Sequence, residues 1–367
     1  MLKKNLIISL IISVLIIIIF IGITSDNSYI TSNETVSDKI ENLTNEKSLL
    51  EDSGLAPDLT GINGWINTEP LTQEDLKGKV VLIDFWTYSC INCIRTLPHL
   101  SKIYDKYKNN GFILLGVHSP EFDFEKKKEN VLNAVKEYDL KYPIALDNEH
   151  DTWKAYENQY WPAHYLLDIN GNIRYKQFGE GHYKELETAI QQALLEGNLL
   201  SLDKISVVTE PEPDAIFKNI GTPEIYLGYL RINNIGNTDQ NVRPGEAFNF
   251  KGSDKIEENR FYLEGNWKIE PEFSETTGEN SSLTIRYKAS KLNLVLASLN
   301  EEALDIDITL DGKPLTLDNQ GDDIESSSLK VTEPRLYNLV DTVGDYDWHT
   351  LKLSAPKGLQ AFAFTFG

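Results

Sequence analysis

Hydrophobic positions fall into four successive regimes along this chain. The first is an almost unbroken apolar run over 6–23, preceded by Lys3 and Lys4. Its eighteen residues, at ~1.5 Å rise each, span about 27 Å, roughly the hydrocarbon core of a bilayer, which predicts a transmembrane anchor over 1–25. The two lysines favour a cytoplasmic N-terminus with everything beyond the run outside. No A-x-A-like cleavage site follows it, which favours an anchor over a cleaved signal peptide. The second regime, 26–54, is rich in Ser, Asn, Thr, Asp, Glu and Lys and predicts a flexible tether, apart from aliphatic positions such as Ile40, Leu43, Leu49 and Leu50.

The third regime, 55–200, alternates strand and helix patterns. Short apolar runs at 79–86 and 112–118 are expected of strands buried on both faces. Leu97, Leu100, Ile103 and Tyr104 are spaced as one face of a helix, with Pro98 predicting a kink inside it. A charged amphipathic helix is predicted over 125–138 and a short strand over 142–147. Runs at 164–168 and 172–176 flank Ile169-Asn170-Gly171 as a hairpin, and a helix over 184–195 closes the unit. This is the pattern of an α/β sheet with helices on both faces. In the fourth regime, 201–367, helical periodicity fades and alternating runs take over at 283–287, 292–296, 304–310, 348–353 and 361–366. Asp311-Gly312 is a hairpin turn. The expectation is an all-β sandwich of jelly-roll type, divided from the α/β unit by the acidic stretch Thr209-Glu210-Pro211-Glu212-Pro213.

Composition narrows the function. The 41% hydrophobic content supports real cores, and a net charge of −21 argues against nucleic acid as a partner. The chain has two cysteines, both in Cys90-Ile91-Asn92-Cys93, so none is left for a structural bridge. Haem attachment fails because Ile94 follows Cys93. A structural zinc site would need a second ligand pair, and the chain has no other C-x-x-C. Redox chemistry remains. Cys90 is placed after a buried strand and at the start of a helix, where unpaired N–H groups and the helix dipole favour its thiolate. Cys90 is therefore expected to attack, and Cys93, one turn on, to resolve the mixed disulfide. Asp84 stands in an apolar run, where a desolvated carboxyl suits proton exchange with Cys93.

The run Asp84-Phe85-Trp86-Thr87-Tyr88-Ser89-Cys90-Ile91-Asn92-Cys93 resembles the thioredoxin signature. Its wording is similar to the extracytoplasmic TlpA/DipZ branch, as are Gly116-Val117-His118-Ser119-Pro120-Glu121-Phe122 and Tyr160-Trp161-Pro162-Ala163-His164-Tyr165-Leu166. Thr222-Pro223-Glu224-Ile225-Tyr226-Leu227-Gly228 and Phe364-Thr365-Phe366-Gly367 resemble the terminal, carbohydrate-binding-module-like sandwich of DipZ-like proteins. The resemblance implies a thioredoxin fold over about 56–200 and a thiol–disulfide oxidoreductase with no cofactor beyond a redox-active Cys90–Cys93 disulfide. It places Pro162 as the cis-proline against the C-x-x-C and makes Trp86, Trp161 and Pro162 the expected substrate-binding residues. Glu121 and Glu125 are candidates for proton movement or a solvated helix start, and His164 for a strand-face residue. DipZ proteins typically carry a multi-span electron-conducting domain upstream. One hydrophobic segment here implies a separate membrane donor of CcdA/DsbD type, with protein disulfides as substrates and cytochrome c biogenesis as one setting. Asp84 and the resemblance favour a reductase over an oxidase.

Two other readings compete. Thr87-x-x-Cys90 matches part of a thiol-peroxidase pattern, but Ile83 occupies its proline position. Alternatively the fold is a scaffold for binding, with Trp267 and Trp348 as a glycan platform.

Overall fold

Two sheets organise the chain, and the redox motif sits at the edge where they meet. The computed structural model describes residues 48–205, 221–240, 242–300 and 302–367. The expected anchor, residues 26–47 of the expected tether and the acidic boundary at 209–213 lie outside the described residues. Among the described residues no helix is long and apolar enough to cross a membrane.

The first sheet contains β1 (Gly64–Ile66), β2 (Val80–Trp86), β3 (Phe112–His118), β4 (Ile144–Leu146), β5 (Ala163–Leu167) and β6 (Ile173–Phe178), in the order β1-β4-β3-β2-β5-β6. β2, β3 and β4 run parallel, while β1, β5 and β6 pair antiparallel. Helices α1 (Gln73–Leu76), α2 (Ile91–Tyr107), α3 (Lys128–Glu137), α4 (Asp151–Ala155) and α5 (Tyr183–Glu196) intervene or follow. Every residue of the central β2 is buried, which accounts for its unbroken apolar run. α2 continues as one helix through Pro98. The helix expected over 125–138 begins only at Lys128, after a 3₁₀ turn at Asp123–Lys126. Lys127 is extended between the two (φ −71°, ψ 114°), and the Glu125 side chain turns inward instead of facing water. Residues 48–54, expected to belong to the flexible tether, instead lie along β6: the Glu51 and Ser53 amides donate to the Arg174 and Ile173 carbonyls at 2.7 and 3.0 Å.

The second sheet is all-β. Its strands are β7 (Ile225–Tyr226), β8 (Ala247–Phe250), β9 (Arg260–Ile269), β10 (Ser274–Thr276), β11 (Ser281–Lys288), β12 (Lys291–Ser298), β13 (Leu304–Leu310), β14 (Lys313–Pro314), β15 (Ile324–Glu325), β16 (Ser328–Val331), β17 (Arg335–Asp341), β18 (Trp348–Ala355) and β19 (Leu359–Phe366). The two layers expected of a sandwich are joined into a single thirteen-stranded, nearly barrel-like sheet. The join is β9, whose first half pairs β11 and whose second half pairs β10. Gly265 lies at the change of partner, with φ +87° and the Ser281 Cα only 2.8 Å from where a Cβ would stand. The Asp311-Gly312 turn has positive φ at both residues and closes β13 onto β14.

One core inside this sheet gathers Phe261, Leu283, Ile285, Leu292, Leu294, Tyr337, Leu353, Phe364 and Phe366. β12 and β19 are also apolar on their outer face. There Val295, Ala297, Phe362 and Ala363 pack with Phe122, and with Phe124 of the 3₁₀ turn, in a second cluster shared by both domains. Phe362 meets the rings of Phe122 and Phe124 edge-on at 5.1 and 4.9 Å. Residues 47–367 accordingly form one compact unit.

Candidate active site

β2 delivers the chain into a short buried loop, Thr87-Tyr88-Ser89, and Cys90 caps α2 from an extended conformation (φ −81°, ψ 114°). Both thiols are free; Cys90 is partly exposed and Cys93 is buried. The Cys93 amide donates to Cys90 Sγ at 3.2 Å, and the Cys93 thiol donates to the same sulfur at 2.7 Å. The helix start thus aims one backbone N–H at Cys90, where its position in the sequence predicts several, and the Cys93 thiol supplies the second donor. They do not determine the direction of its pKa. Burial pushes the Cys90 thiol up, the two Cys93 hydrogen bonds pull it down, and Glu121 and Glu224 push it up again, for a net rise. This corrects the expectation of a lowered pKa: desolvation and two carboxylates outweigh the helix terminus. Cys93 is raised well above the ordinary thiol range by burial and by Cys90.

Behind the thiols lies Asp84, 1% exposed and without a hydrogen-bond partner for either oxygen. Burial pushes its pKa up to about 8. Strand register sets His164 of β5 opposite it, with Nε2 3.3 Å from Asp84 Oδ1. Burial lowers His164 to about 4, so the pair is uncharged just below neutral pH. This pairing was invisible in sequence, where 80 residues separate Asp84 from His164.

Glu125 braces the loop in front of Cys90. Fully buried, it accepts from Ser89 Oγ at 2.6 Å, the Ser89 amide at 3.2 Å and the Phe122 amide at 2.9 Å. Burial raises it to about 7 against these hydrogen bonds. His118 is equally buried and lowered to about 3 by desolvation. Its Nε2 lies 3.3 Å from Thr87 Oγ1, and its ring stacks on Tyr88 at 5.8 Å. Thr87, the residue of the peroxidase pattern, is therefore enclosed in the core. The Asn92 side chain of the motif accepts from Arg95, which also forks onto Glu180 at 2.7 and 2.8 Å.

The expected substrate-binding residues divide. The Trp161–Pro162 bond is cis. Register places Pro162 one position past the Phe85–Ala163 pair, beside Trp86 and at the Cys90 end of the sheet. Trp161 is partly exposed, with its indole N–H donating to the Ser119 carbonyl at 2.9 Å. Trp86 is a correction: it is fully buried, edge-on to His118 at 5.2 Å, and offers no surface to a substrate. Trp267 is likewise fully buried, its N–H on the Glu264 carbonyl, and cannot form a glycan platform; Trp348 is partly exposed beneath Arg286.

The second domain also reaches the site. Tyr226 Oη is 2.8 Å from Glu121 Oε1, and Arg231 Nη1 is 2.6 Å from the same oxygen. Tyr88 Oη donates to the Pro334 carbonyl at 3.2 Å, and the Asp123 amide to Glu272 at 2.9 Å. Sequence reading named Glu121 as a candidate for proton movement but gave no role to Tyr226, Arg231, Pro334 or Glu272. The one usable signal was Glu224-Ile225-Tyr226, whose spacing puts both polar side chains on one face of an extended segment.

Residues 222–367 match a family described as a thioredoxin-like C-terminal domain, and residues 54–176 match the AhpC/TSA family. Protein DipZ of Mycobacterium bovis is 36% identical over 336 residues, 90% of this chain and 45% of its own. Thiol-disulfide oxidoreductase YkuV of Bacillus subtilis is 35% identical over 141 residues, 38% of this chain and 94% of its own. A thioredoxin-like protein solved in its oxidized form is 34% identical over 39% of this chain and 95% of its own, with a TM-score of 0.36. The chain spans just under half the length of the DipZ protein it matches.

Proposed function

Since this chain belongs to the thioredoxin-like family of thiol–disulfide oxidoreductases, we propose that Cys90 and Cys93 form a dithiol that reduces disulfides of proteins on the outer face of a membrane. The observation that carries this reading is the partly exposed residue Cys90 with the buried Cys93 thiol 2.7 Å from its sulfur. The Cys90 thiolate attacks one sulfur of the substrate disulfide, and the other sulfur leaves as a thiolate that takes up a proton. Cys93 then loses its proton to Asp84 in its ionised form, a minor population at neutral pH that grows toward pH 8, and attacks Cys90 Sγ. The second substrate sulfur leaves reduced, and Cys90–Cys93 holds the two oxidising equivalents. A dithiol donor of CcdA/DsbD type in the membrane returns the electrons.

The reducing direction is supported by the raised Cys90 thiol. A strongly oxidising C-x-x-C owes its potential to a stabilised reduced form, and burial plus two carboxylates withhold that stabilisation here. The apolar run at 6–23 supports membrane attachment with the catalytic head extracytoplasmic, and we place apocytochrome disulfides among the substrates on the family resemblance alone. Trp161 and Pro162 are the residues we assign to the substrate segment. A jelly-roll, glycan-contacting role for the all-β domain narrows to the surface around Trp348; an array on which the full chain retains no glycan removes it.

Equilibration with glutathione tests the direction: a potential near about −250 mV or below is expected, and one near about −120 mV makes the protein an oxidase instead. Cys93→Ala should accumulate mixed disulfides through Cys90, and Cys90→Ala should not. Equal trapping by both variants would reverse or abolish the assignment of the attacking thiol.

A further inference from the structure

Glu121 belongs to the loop after β3, but its carboxylate is held by the other domain. Arg231 and Tyr226 both bond its Oε1, at 2.6 and 2.8 Å, and the Glu121 side chain is 9% exposed. The Arg231 guanidinium carbon lies over two rings, 3.7 Å from the Tyr226 ring centre and 5.3 Å from that of Phe122. Tyr226 Oη also lies 2.7 Å from Glu224 Oε2. Beneath this cluster, Phe122 and Phe124 are seated on Phe362, so the loop cannot drift from the second domain without opening an apolar cluster. Glu121 and Glu224 both act electrostatically on Cys90.

We propose that the C-terminal domain completes the redox site, with Arg231 and Tyr226 as positioning residues for Glu121 and Glu224 as a second acidic group that sets the reactivity of Cys90. This rests on Cys90 being the exchanging thiol. One phenol has one proton to give, and two carboxyl groups lie within hydrogen-bond distance of it. The third partner must therefore carry a proton of its own, or one contact is repulsive. Glu224 is the group suited to it, since desolvation and Glu121 raise its pKa to about 7. The charges around this cluster are Glu121, Arg231 and Cys90, with Glu125 behind Glu121 and Glu272 near Arg231. Below neutrality Glu224 is neutral and the Cys90 thiolate is less opposed. Above it a negative charge returns next to the sulfur. The two titrations are coupled, and the all-β domain supplies one half of the couple.

The test follows iodoacetamide alkylation of Cys90 by mass spectrometry from pH 5 to 10, in the full chain carrying Cys93→Ala. Adding Glu224→Gln should speed alkylation about threefold at pH 8, the effect of about half a pKa unit, and change it little below pH 6. Adding Arg231→Gln should slow it at pH 8 by a similar factor, and Arg231→Lys should restore it. Superimposable profiles for the parent and Glu224→Gln overturn the inference. A parent whose Cys90 resists alkylation at every pH overturns the dithiol reading itself, a different result from the first. Gln matches Glu224 in shape, so this substitution tests the idea even if the Arg231 variants fold poorly.

Discussion

Replacing Asp84 by Asn should make the protein markedly more stable at neutral pH while impairing its chemistry. The carboxyl is 1% exposed, unpaired, and raised from 3.8 to about 8 by burial. In the unfolded chain it loses its proton near pH 3.8, whereas in the folded chain it keeps it until about pH 8. The unfolded state thus binds fewer protons across that window, and stability falls as pH rises through it. At 1.36 kcal/mol per unit the loss is about 4 kcal/mol at pH 7, approaching ~6 kcal/mol above pH 8. Asn is close to the protonated carboxyl in shape and cannot ionise, so the variant escapes this cost. Urea unfolding followed by tryptophan fluorescence at pH 4, 5.5, 7 and 8 should give a stability difference near zero at pH 4 that grows steadily to several kcal/mol. In the same variant Cys93 lacks its proton acceptor, so release of the mixed disulfide should slow at pH 7. A stability difference that does not depend on pH, or a variant less stable than the parent at pH 7, would refute the assignment of Asp84 as a desolvated acid.

Ser89→Ala removes the 2.6 Å hydrogen bond to buried Glu125 and should cost about 1.5–3 kcal/mol at pH 8.5, where the carboxylate is charged, and less at pH 6; urea midpoints at the two pH values measure this, and equal losses would contradict it. Phe362→Ala empties the centre of the cluster shared by the two domains, with an expected loss of ~3–5 kcal/mol and faster amide exchange over 121–126. Unchanged exchange there would mean that the second domain does not hold that loop. His118 and His164, lowered to about 3 and about 4 from 6.5, should show no NMR titration between pH 5 and 8. Because the unfolded chain protonates them first, both withdraw stability as pH falls from 6.5 toward 4. A histidine signal at either position moving with a midpoint near 6.5 would show that it is not buried as described.

What could be read without coordinates was whatever rests on local periodicity or on neighbours in the chain. The continuous apolar run of β2 announced a strand buried on both faces, and C-x-x-C directly after it placed Cys90 at a helix start with Cys93 one turn behind. Asp84 was conspicuous because a carboxyl in such a run has no inexpensive explanation. Alternation also marked most long strands of the all-β domain, and Asp311-Gly312 the turn between β13 and β14. Tertiary structure decided what depends on partners far apart in sequence. Only strand register could bring His164 to Asp84. Only the fold could show that Glu125 is a buried brace and that Trp86 and Trp267 are core. The outer face of β12 and β19 was apolar for a reason no single-domain pattern contains: it covers Phe122 and Phe124 of the other domain. The sign of the Cys90 shift belongs here too. A helix terminus is a local property and favours the thiolate, but desolvation and the carboxylates of Glu121 and Glu224 sum over everything nearby in space, and that sum is fixed only when the two domains meet.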